Sequence, residues 1–398
     1  MASTPPPAWP IAIAGAGPTG LALALALARS GGPAIAATVY DPALDRPRAD
    51  RRAYALSAAA QDFLARLGVL GRVPGRPIAG MTITDSRLAD AVRPAYLRFE
   101  AGREGPLGLM VEGAALVEAL HGACLDAGVA LRPTGVREAL PGPDGSAIAL
   151  DDGSTTNAAL VVACDGARSR LREAAGIGWA GGPYRQAGLV ATVRHALDHR
   201  GWAVQHFLPA GPFAILPLPD GPAGEHRSSI VWTERQEEAR RVAALPPERA
   251  LADLEARFGP ERGSVTLLGP IATFPLSVGL ARAFTAPRLA LVGDAAHEIH
   301  PLAGQGLNLA LVDADALAGR VRGSVTLGLD PGRPDVLRAY GRDRRADAVA
   351  LAALTDGLNR LFSNESLPLR ALRDIGLGLV DRAPALKAEL IRRAAGRG

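Results

Sequence analysis

The chain has 398 residues and a mass of 41.1 kDa, room for two to three folding units at roughly 150 residues each. Its 48% apolar and 21% charged residues, with Gly 46 and Pro 32, exclude the disordered, collagen-like and disulfide-stapled classes. The formal net charge of +4 matches the cation surplus after Leu367, and every cationic side chain but Lys387 is arginine, a coding bias that implies no nucleic-acid partner.

Residues 1–10 carry no cationic n-region and no A-x-A cleavage pattern, so no secretory signal is expected. Residues 11–28 are uncharged throughout, long enough for a membrane span, but glycines and Pro18 crowd the start of the run. The pattern predicts instead a buried strand over 11–14, a glycine turn over 15–20 and a helix over 21–29. After the Gly31-Gly32-Pro33 break, residues 34–40 predict a second strand ending at Asp41, which completes a β-α-β unit. Helices are expected over 58–67 and 114–127, and a buried strand over 160–163 leads into Asp165-Gly166. Residues 187–274 read as β-rich pieces such as 213–218 and 228–233, a separate sheet domain inserted into the first. A strand over 288–292, a helix over 306–320 and a mostly helical region from Val336 complete the chain. Cys124 and Cys164 form no C-x-x-C and have no matching histidines, so no metal site and a reducing compartment are expected.

Gly15-Ala16-Gly17-Pro18-Thr19-Gly20 fits G-x-G-x-x-G in the strand-to-helix context where the motif has a mechanism. Gly15 permits the tight turn, Gly17 lets a pyrophosphate approach the backbone, and Gly20 lets helix and strand pack closely. The free N–H groups and helix dipole then favour the phosphate anions. Asp41 is placed to accept hydrogen bonds from a ribose diol, although it also reads as a turn or cap residue. The fingerprint alone separates neither NAD from FAD nor a bound dinucleotide from a ligand-free turn.

Two later motifs are more specific. Residues 165–172 have the form D-G-x-x-S-x-x-R, and Gly293-Asp294-Ala295-Ala296-His297 precedes Pro301-Leu302-Ala303-Gly304-Gln305-Gly306-Leu307-Asn308, with Asp313 beyond. With the glycine turn, these motifs resemble the para-hydroxybenzoate-hydroxylase-like FAD-dependent monooxygenases, and residues 300–313 resemble the signature of the ubiquinone-biosynthesis ring hydroxylases. The similarity extends through residues 50–57, 211–219, 274–276, 361–363 and 372–377. Ala310 stands where that signature usually has glycine, and Gly113 where the family usually has an amide touching the cofactor.

The resemblance implies an α/β fold with a Rossmann-like FAD-binding domain, an inserted β-sheet substrate domain and a C-terminal helical segment. Residues 1–82, 105–178 and 286–330 would form the FAD-binding domain, 83–104 and 179–285 the substrate domain, and 331–398 the helical region. It implies cofactor contacts from Gly15, Gly17, Gly20, Asp41, Arg52, Asp165, Gly166, Gly293, Asp294, Gly306, Leu307 and Asn308. Asp294 would accept hydrogen bonds from the ribityl chain, and Arg52 would reach the phosphates or ribityl chain. Pro301, Gly304 and Gln305 would form the catalytic loop, with Pro301 beside the reacting face of the flavin. The helix start after Gly304 would stabilise negative charge on reduced flavin. Asp165 alternatively reads as a helix N-cap, Gly304 and Gly306 as turn glycines, and His297 and His300, which invite a catalytic or metal role but have no Asp/Glu/Cys partner at ligand spacing, as residues that orient the loop.

The implied reaction is hydroxylation of the aromatic ring of a polyprenylated phenol or quinone precursor. NAD(P)H or ferredoxin would reduce FAD, and O2 would add at flavin C4a to give the hydroperoxide that transfers OH. Phe207, Phe213 and Ile215 are candidates for the pocket lining, with ordinary sheet core as the competing reading. A prenylated substrate implies a cytoplasmic enzyme peripheral to the inner membrane, for which Leu386, Leu390, Ile391 and Ala394 beside Lys387, Arg392 and Arg393 offer an interfacial helix, with a solvated terminal helix packed on its own protein as the competing reading. A quinone-biosynthesis protein assembly is a further implied partner. A flavin-linked prenyl reductase and a non-catalytic flavoprotein scaffold remain as alternatives. A flavin halogenase is disfavoured, because W-x-W-x-I-P is absent and the only lysine lies near the terminus.

Overall fold

The computed structural model describes residues 8–31, 34–46, 50–85, 93, 95–102, 105–300 and 304–362. Its first layer is a six-stranded sheet in the order Thr285–Ala286, Leu289–Leu291, Leu160–Ala163, Trp9–Ala14, Ile35–Tyr40, Ala130–Arg132. All neighbours run parallel except the first pair. Parallel strands covered on both faces need apolar side chains at successive positions, and Ile11 to Ala14 and Leu160 to Ala163 are buried without a break. From Trp9–Ala14 the chain moves outward through Ile35–Tyr40 and Ala130–Arg132, then returns on the other side with Leu160–Ala163. That reversal opens a crevice at the carboxyl ends of the two central strands, where such sheets bind ligands.

The first helix, Pro18–Gly31, begins at Pro18 rather than at the expected Leu21. Proline is preset for a first helical position and has no N–H to lose, and the Leu21 N–H closes the first turn on the Gly17 carbonyl at 3.0 Å. Residues 21–27 are buried on every side, because the Gly113–Asp126 and Gln305–Thr326 helices pack against this helix.

The second large layer is a nine-stranded sheet. Its path runs His297–Glu298, Ala272–Ala281, Trp179–His195, His226–Arg235, Gly211–Pro217, Trp202–Leu208, Gly80–Asp85, Ala95–Glu100, and Val265–Leu267 branches from Trp179–His195. Alternation divides its residues between two faces. Leu189, Trp232, Phe213 and Ile215 enter a core closed by the Gln236–Ala243 and Pro247–Phe258 helices. Phe213 and Ile215 are therefore sheet core, and Phe207 is buried outside the cavity lining. The two helices interrupt the stretch read as β-rich pieces. Their signal was present in Pro247 at the helix start and in Ala250, Leu254 and Phe258 on one face.

A small sheet of Ala53–Leu56, Leu109–Glu112 and Gly75–Pro77 lies beside the crevice. The Pro334–Phe362 helix ends the described chain; residues 363–398, including the basic tail, lie outside it. Among the described residues no helix is long and apolar enough to cross a membrane.

Candidate active site

Backbone geometry assigns each glycine of the turn a separate task. Gly15 sits at φ +105°, and a Cβ there would lie 2.3 Å from the Cys164 carbonyl oxygen. A Cβ on Gly20 would lie 2.0 Å from the Gly15 oxygen, so helix and strand meet only because both residues lack one. Gly17 has nothing within 4 Å of its Cβ position. No neighbour in the protein demands glycine there, and the open space faces the crevice. Asp41 ties the turn to the second strand: Ala16 N–H donates to its Oδ2 at 2.7 Å and Ala43 N–H to its Oδ1 at 2.8 Å. It thus serves as a turn anchor while lining the same cavity.

Asp165 enters from the neighbouring strand end. The N-cap of the Arg170–Ala174 helix is Ser169, whose hydroxyl accepts from Arg172 N–H at 3.0 Å, so the N-cap reading of Asp165 fails. Burial raises its carboxyl above the usual range, opposed by the Ser169 hydroxyl and nearby N–H groups. Its Oδ1 is buried without a hydrogen-bond partner, beside the cavity that Asp165 and Gly166 help to line.

The third wall is built around Asp313. This fully buried carboxylate accepts from Arg344 Nε at 2.6 Å and from Gly293 N–H at 3.2 Å, and pairs with His297 Nε2 at 2.5 Å. It fixes the turn that carries Asp294 toward the cavity. Gly293, at φ +64°, has the Ala310 methyl 3.0 Å from where its Cβ would be, so the alanine at 310 packs against this turn. Asp294 is open to the cavity yet enclosed by protein. Desolvation raises its carboxyl pKa, while His297 and Arg52 pull it down.

Gly304 adopts the left-handed conformation at φ 64° and caps the Gln305–Thr326 helix with no side-chain hydrogen bond and no acid in the first turn. The helix start therefore presents its N–H groups and dipole to whatever lies beside Gly304 and Gly306. Asn308 is committed to the protein: its amide donates to Ala55 O at 2.8 Å and accepts from Ser57 N–H at 2.9 Å, stapling the loop to the small sheet.

Arg52 projects over the same crevice, held by Asp50 through Nε at 2.9 Å and Nη2 at 3.0 Å. Tyr54 donates to the same carboxylate at 3.1 Å. These groups explain Gly113, since a Cβ there would lie 2.8 Å from both Asp50 Oδ2 and Tyr54 Cε2. The space for a side chain at 113 is filled by the Asp50–Arg52–Tyr54 cluster. Asp50 and Tyr54 fall within residues 50–57, part of the family resemblance, but were assigned no role there.

One cavity of about 630 Å³ joins these elements. Of the expected residues, Gly15, Gly17, Asp41, Arg52, Asp165 and Gly166 line it, as do Asp294, Gly304, Gly306 and Leu307. Gly20, Gly293, Gln305 and Asn308 stand behind the lining, and Pro301 lies outside the described residues. The opposite wall is the free face of the large sheet, with Val190, Ala214, Leu216 and Val231. His300 closes one side, fully buried, with neither ring nitrogen hydrogen-bonded. Its ring meets Tyr184 edge-on at 5.3 Å, and Tyr184 donates to Asp356 at 2.7 Å. Burial lowers the imidazole pKa to about 4 although Asp356 opposes this, so the ring is neutral near pH 7.

These features fit FAD. Open space at Gly17 suits a pyrophosphate, the orphaned Asp165 oxygen awaits a donor, Asp294 suits a hydroxylated chain, and the bare helix start suits an electron-rich ring edge. A dinucleotide crevice opening onto the apolar face of a second sheet defines a flavin-dependent oxidoreductase. A family model described as FAD binding domain matches residues 8–355, and the chain belongs to that family. It is 42% identical to the ubiquinone hydroxylase UbiL of Rhodospirillum rubrum, over 97% of this chain and 89% of that protein. It is 36% identical to the 3-demethoxyubiquinol 3-hydroxylase of Escherichia coli, over 97% and 98%. Among solved structures, p-nitrophenol 4-monooxygenase PnpA from Pseudomonas putida shares the fold at TM-score 0.79, with 18% identity and 98% of each chain covered.

Proposed function

We propose that this protein is an FAD-dependent monooxygenase that hydroxylates the aromatic ring of a polyprenylated phenol or quinone precursor in ubiquinone biosynthesis. The observation that carries this reading is the continuity of one cavity between the dinucleotide crevice and an apolar sheet face, in a chain related to ubiquinone hydroxylases over nearly its whole length. When bound, FAD supplies the redox and oxygen chemistry that side chains lack, with O2 as co-substrate and NAD(P)H or ferredoxin as donor.

The chain's own residues bind, orient and exclude water. Gly15, Gly17 and the Pro18–Gly31 helix start receive the pyrophosphate, Asp41 the ribose, Arg52 and Asp294 the ribityl region, and the helix start after Gly304 the pyrimidine edge. Gln305 opens the helix beside Gly304, and a role for Pro301 at the reacting face rests on the family resemblance alone. Val190, Ala214, Leu216 and Val231 present no charge to the substrate ring, which keeps the reacting volume dry. His300, neutral near pH 7, brings no positive charge to an electron-rich ring.

The test is turnover of the purified FAD-loaded protein with a prenylated phenol, NAD(P)H or reduced ferredoxin, and isotopically labelled O2. The expected product carries one labelled oxygen on the ring. A product saturated in its prenyl chain without label would instead establish a prenyl reductase, and retention of FAD without ring-stimulated donor oxidation would establish a scaffold.

Association with the inner-membrane surface and with a quinone-biosynthesis assembly belongs to the same reading. It is supported by the ubiquinone substrates named for the relatives and by the basic tail, whose cations would contribute about 1 kcal/mol each near an anionic lipid surface. The full chain is expected to sediment with anionic vesicles at low salt, and a chain ended at Ser366 to stay in the supernatant. Equal sedimentation of the two would reject the tail as the anchor.

A further inference from the structure

The free face of the large sheet presents a transverse row of neighbours to the cavity. Val190 is paired with Val231, Val231 with Ala214, and Ala214 with Gln205. All four line the cavity. Three are small or branched hydrocarbons, and the last is a carboxamide. Gln205 is 9% exposed, and its Nε2 is buried without any hydrogen-bond partner. The next strand across adds Ile83, whose side chain has no polar atom. An amide donor left unpaired in apolar surroundings is costly, so its presence at the end of this row calls for an acceptor arriving from the cavity.

We propose that Gln205 sets the regiospecificity of ring hydroxylation by donating a hydrogen bond from Nε2 to an oxygen substituent of the substrate ring. This rests on the monooxygenase reading above and deepens it. A flat ring against Val190, Val231 and Ala214 makes dispersion contacts that change little as it rotates in its own plane. Hydrocarbon walls thus hold the ring but do not choose which carbon faces the flavin. Within this row only Gln205 carries a donor, and rotation of the ring away from it leaves a buried amide unpaired, which removes that degeneracy. Discrimination through a polar group that would otherwise stay unsatisfied is far sharper than discrimination by apolar shape. Gln205 lies on the sheet rather than on the flavin-facing loops, so it acts on the orientation of the substrate and not on the cofactor.

The test compares the FAD-loaded wild type with Gln205→Leu and Gln205→Glu. Flavin content and the flavin absorbance spectrum report whether each variant keeps its cofactor site. Two phenols are titrated by their perturbation of that spectrum, one with the ring oxygen substituents and one with hydrogen in place of the methoxy or second hydroxyl group. The expected result for Gln205→Leu is roughly tenfold weaker binding of the oxygenated phenol, the equivalent of one such hydrogen bond. Binding of the deoxygenated phenol should be unchanged, and turnover should give a mixture of ring isomers where the wild type gives one. Gln205→Glu, assayed above the pKa that burial raises for its carboxyl so that only acceptors remain, should lose the same affinity without loss of volume. Equal affinities for both phenols in all three proteins, with a single unchanged product, would overturn the proposal and leave Gln205 as a water-satisfied wall residue. The binding arm reads out without turnover. A wild type that binds the phenols with the expected discrimination but does not hydroxylate them would therefore sink the monooxygenase reading while sustaining the contact.

Discussion

Gly17→Ala is expected to yield a folded protein that has lost most of its hold on FAD. The alanine methyl meets no protein atom within 4 Å, whereas on the proposed reading it would occupy the space a pyrophosphate needs in the loaded protein. Overpacking of that kind costs about 1–3 kcal/mol, which corresponds to roughly five- to 150-fold in Kd. The measurement is flavin fluorescence on reconstitution, set beside the thermal midpoint of the FAD-free protein. The FAD-free variant should melt with the FAD-free wild type. Gly20→Ala is the contrast, because its methyl would lie 2.0 Å from the Gly15 backbone oxygen and would destabilise the protein with or without cofactor. Tight, wild-type FAD binding by Gly17→Ala would remove the pyrophosphate from this turn.

The second large effect is expected at Asp313. Its carboxylate holds Arg344, His297 and the Gly293 N–H in a site with no solvent access. Asp313→Ala leaves the Arg344 guanidinium, 8% exposed, without that partner, although Nη1 keeps Asp347 at 2.5 Å. Removing one member of a buried ion pair costs about 3–5 kcal/mol. Chemical denaturation of the FAD-free protein measures this directly. FAD affinity should fall as well, because the turn that presents Asp294 loses its anchor. Asp313→Asn keeps the shape but not the charge and should fall between the two. A variant as stable as the wild type would show that the cluster is balanced by desolvation and contributes nothing net.

The glycine turn was legible because its constraint is local. The strand before it, the proline after it, the positive φ of Gly15 and the Gly15–Gly20 contact act within a few residues, while Cys164, from a distant strand, adds a second bar to a Cβ at Gly15. Periodicity placed the strands at 11–14, 35–40, 160–163 and 289–291 and the helices at 58–66 and 113–126 to within a few residues, whereas the Gln305–Thr326 helix runs six residues past its expected end at 320. The N-cap reading of Asp165 failed at short range, since Ser169 lies nearer the helix it caps. The interior helices at Gln236–Ala243 and Pro247–Phe258 were written in the chain, but the strands around them dominated the pattern.

Other features were settled only when distant segments met. Alternation along Gly211–Pro217 shows that Phe213 and Ile215 share one face and that Ala214 and Leu216 share the other. Nothing local states which face meets the core and which meets the cavity. That assignment needed the helices at 236–258 to cover one side. Gly113 reads as a missing contact until Asp50 and Tyr54 are found in its place from an earlier stretch of chain. Gln205 is one polar residue in a seven-residue strand until its row ends in the cavity. The amino-acid sequence by itself determined the backbone conformations and the apolar periodicities, because steric limits on φ and ψ act between near neighbours. The tertiary structure alone decided which polar atoms lack a partner, because that depends on what packs from residues far away in the chain.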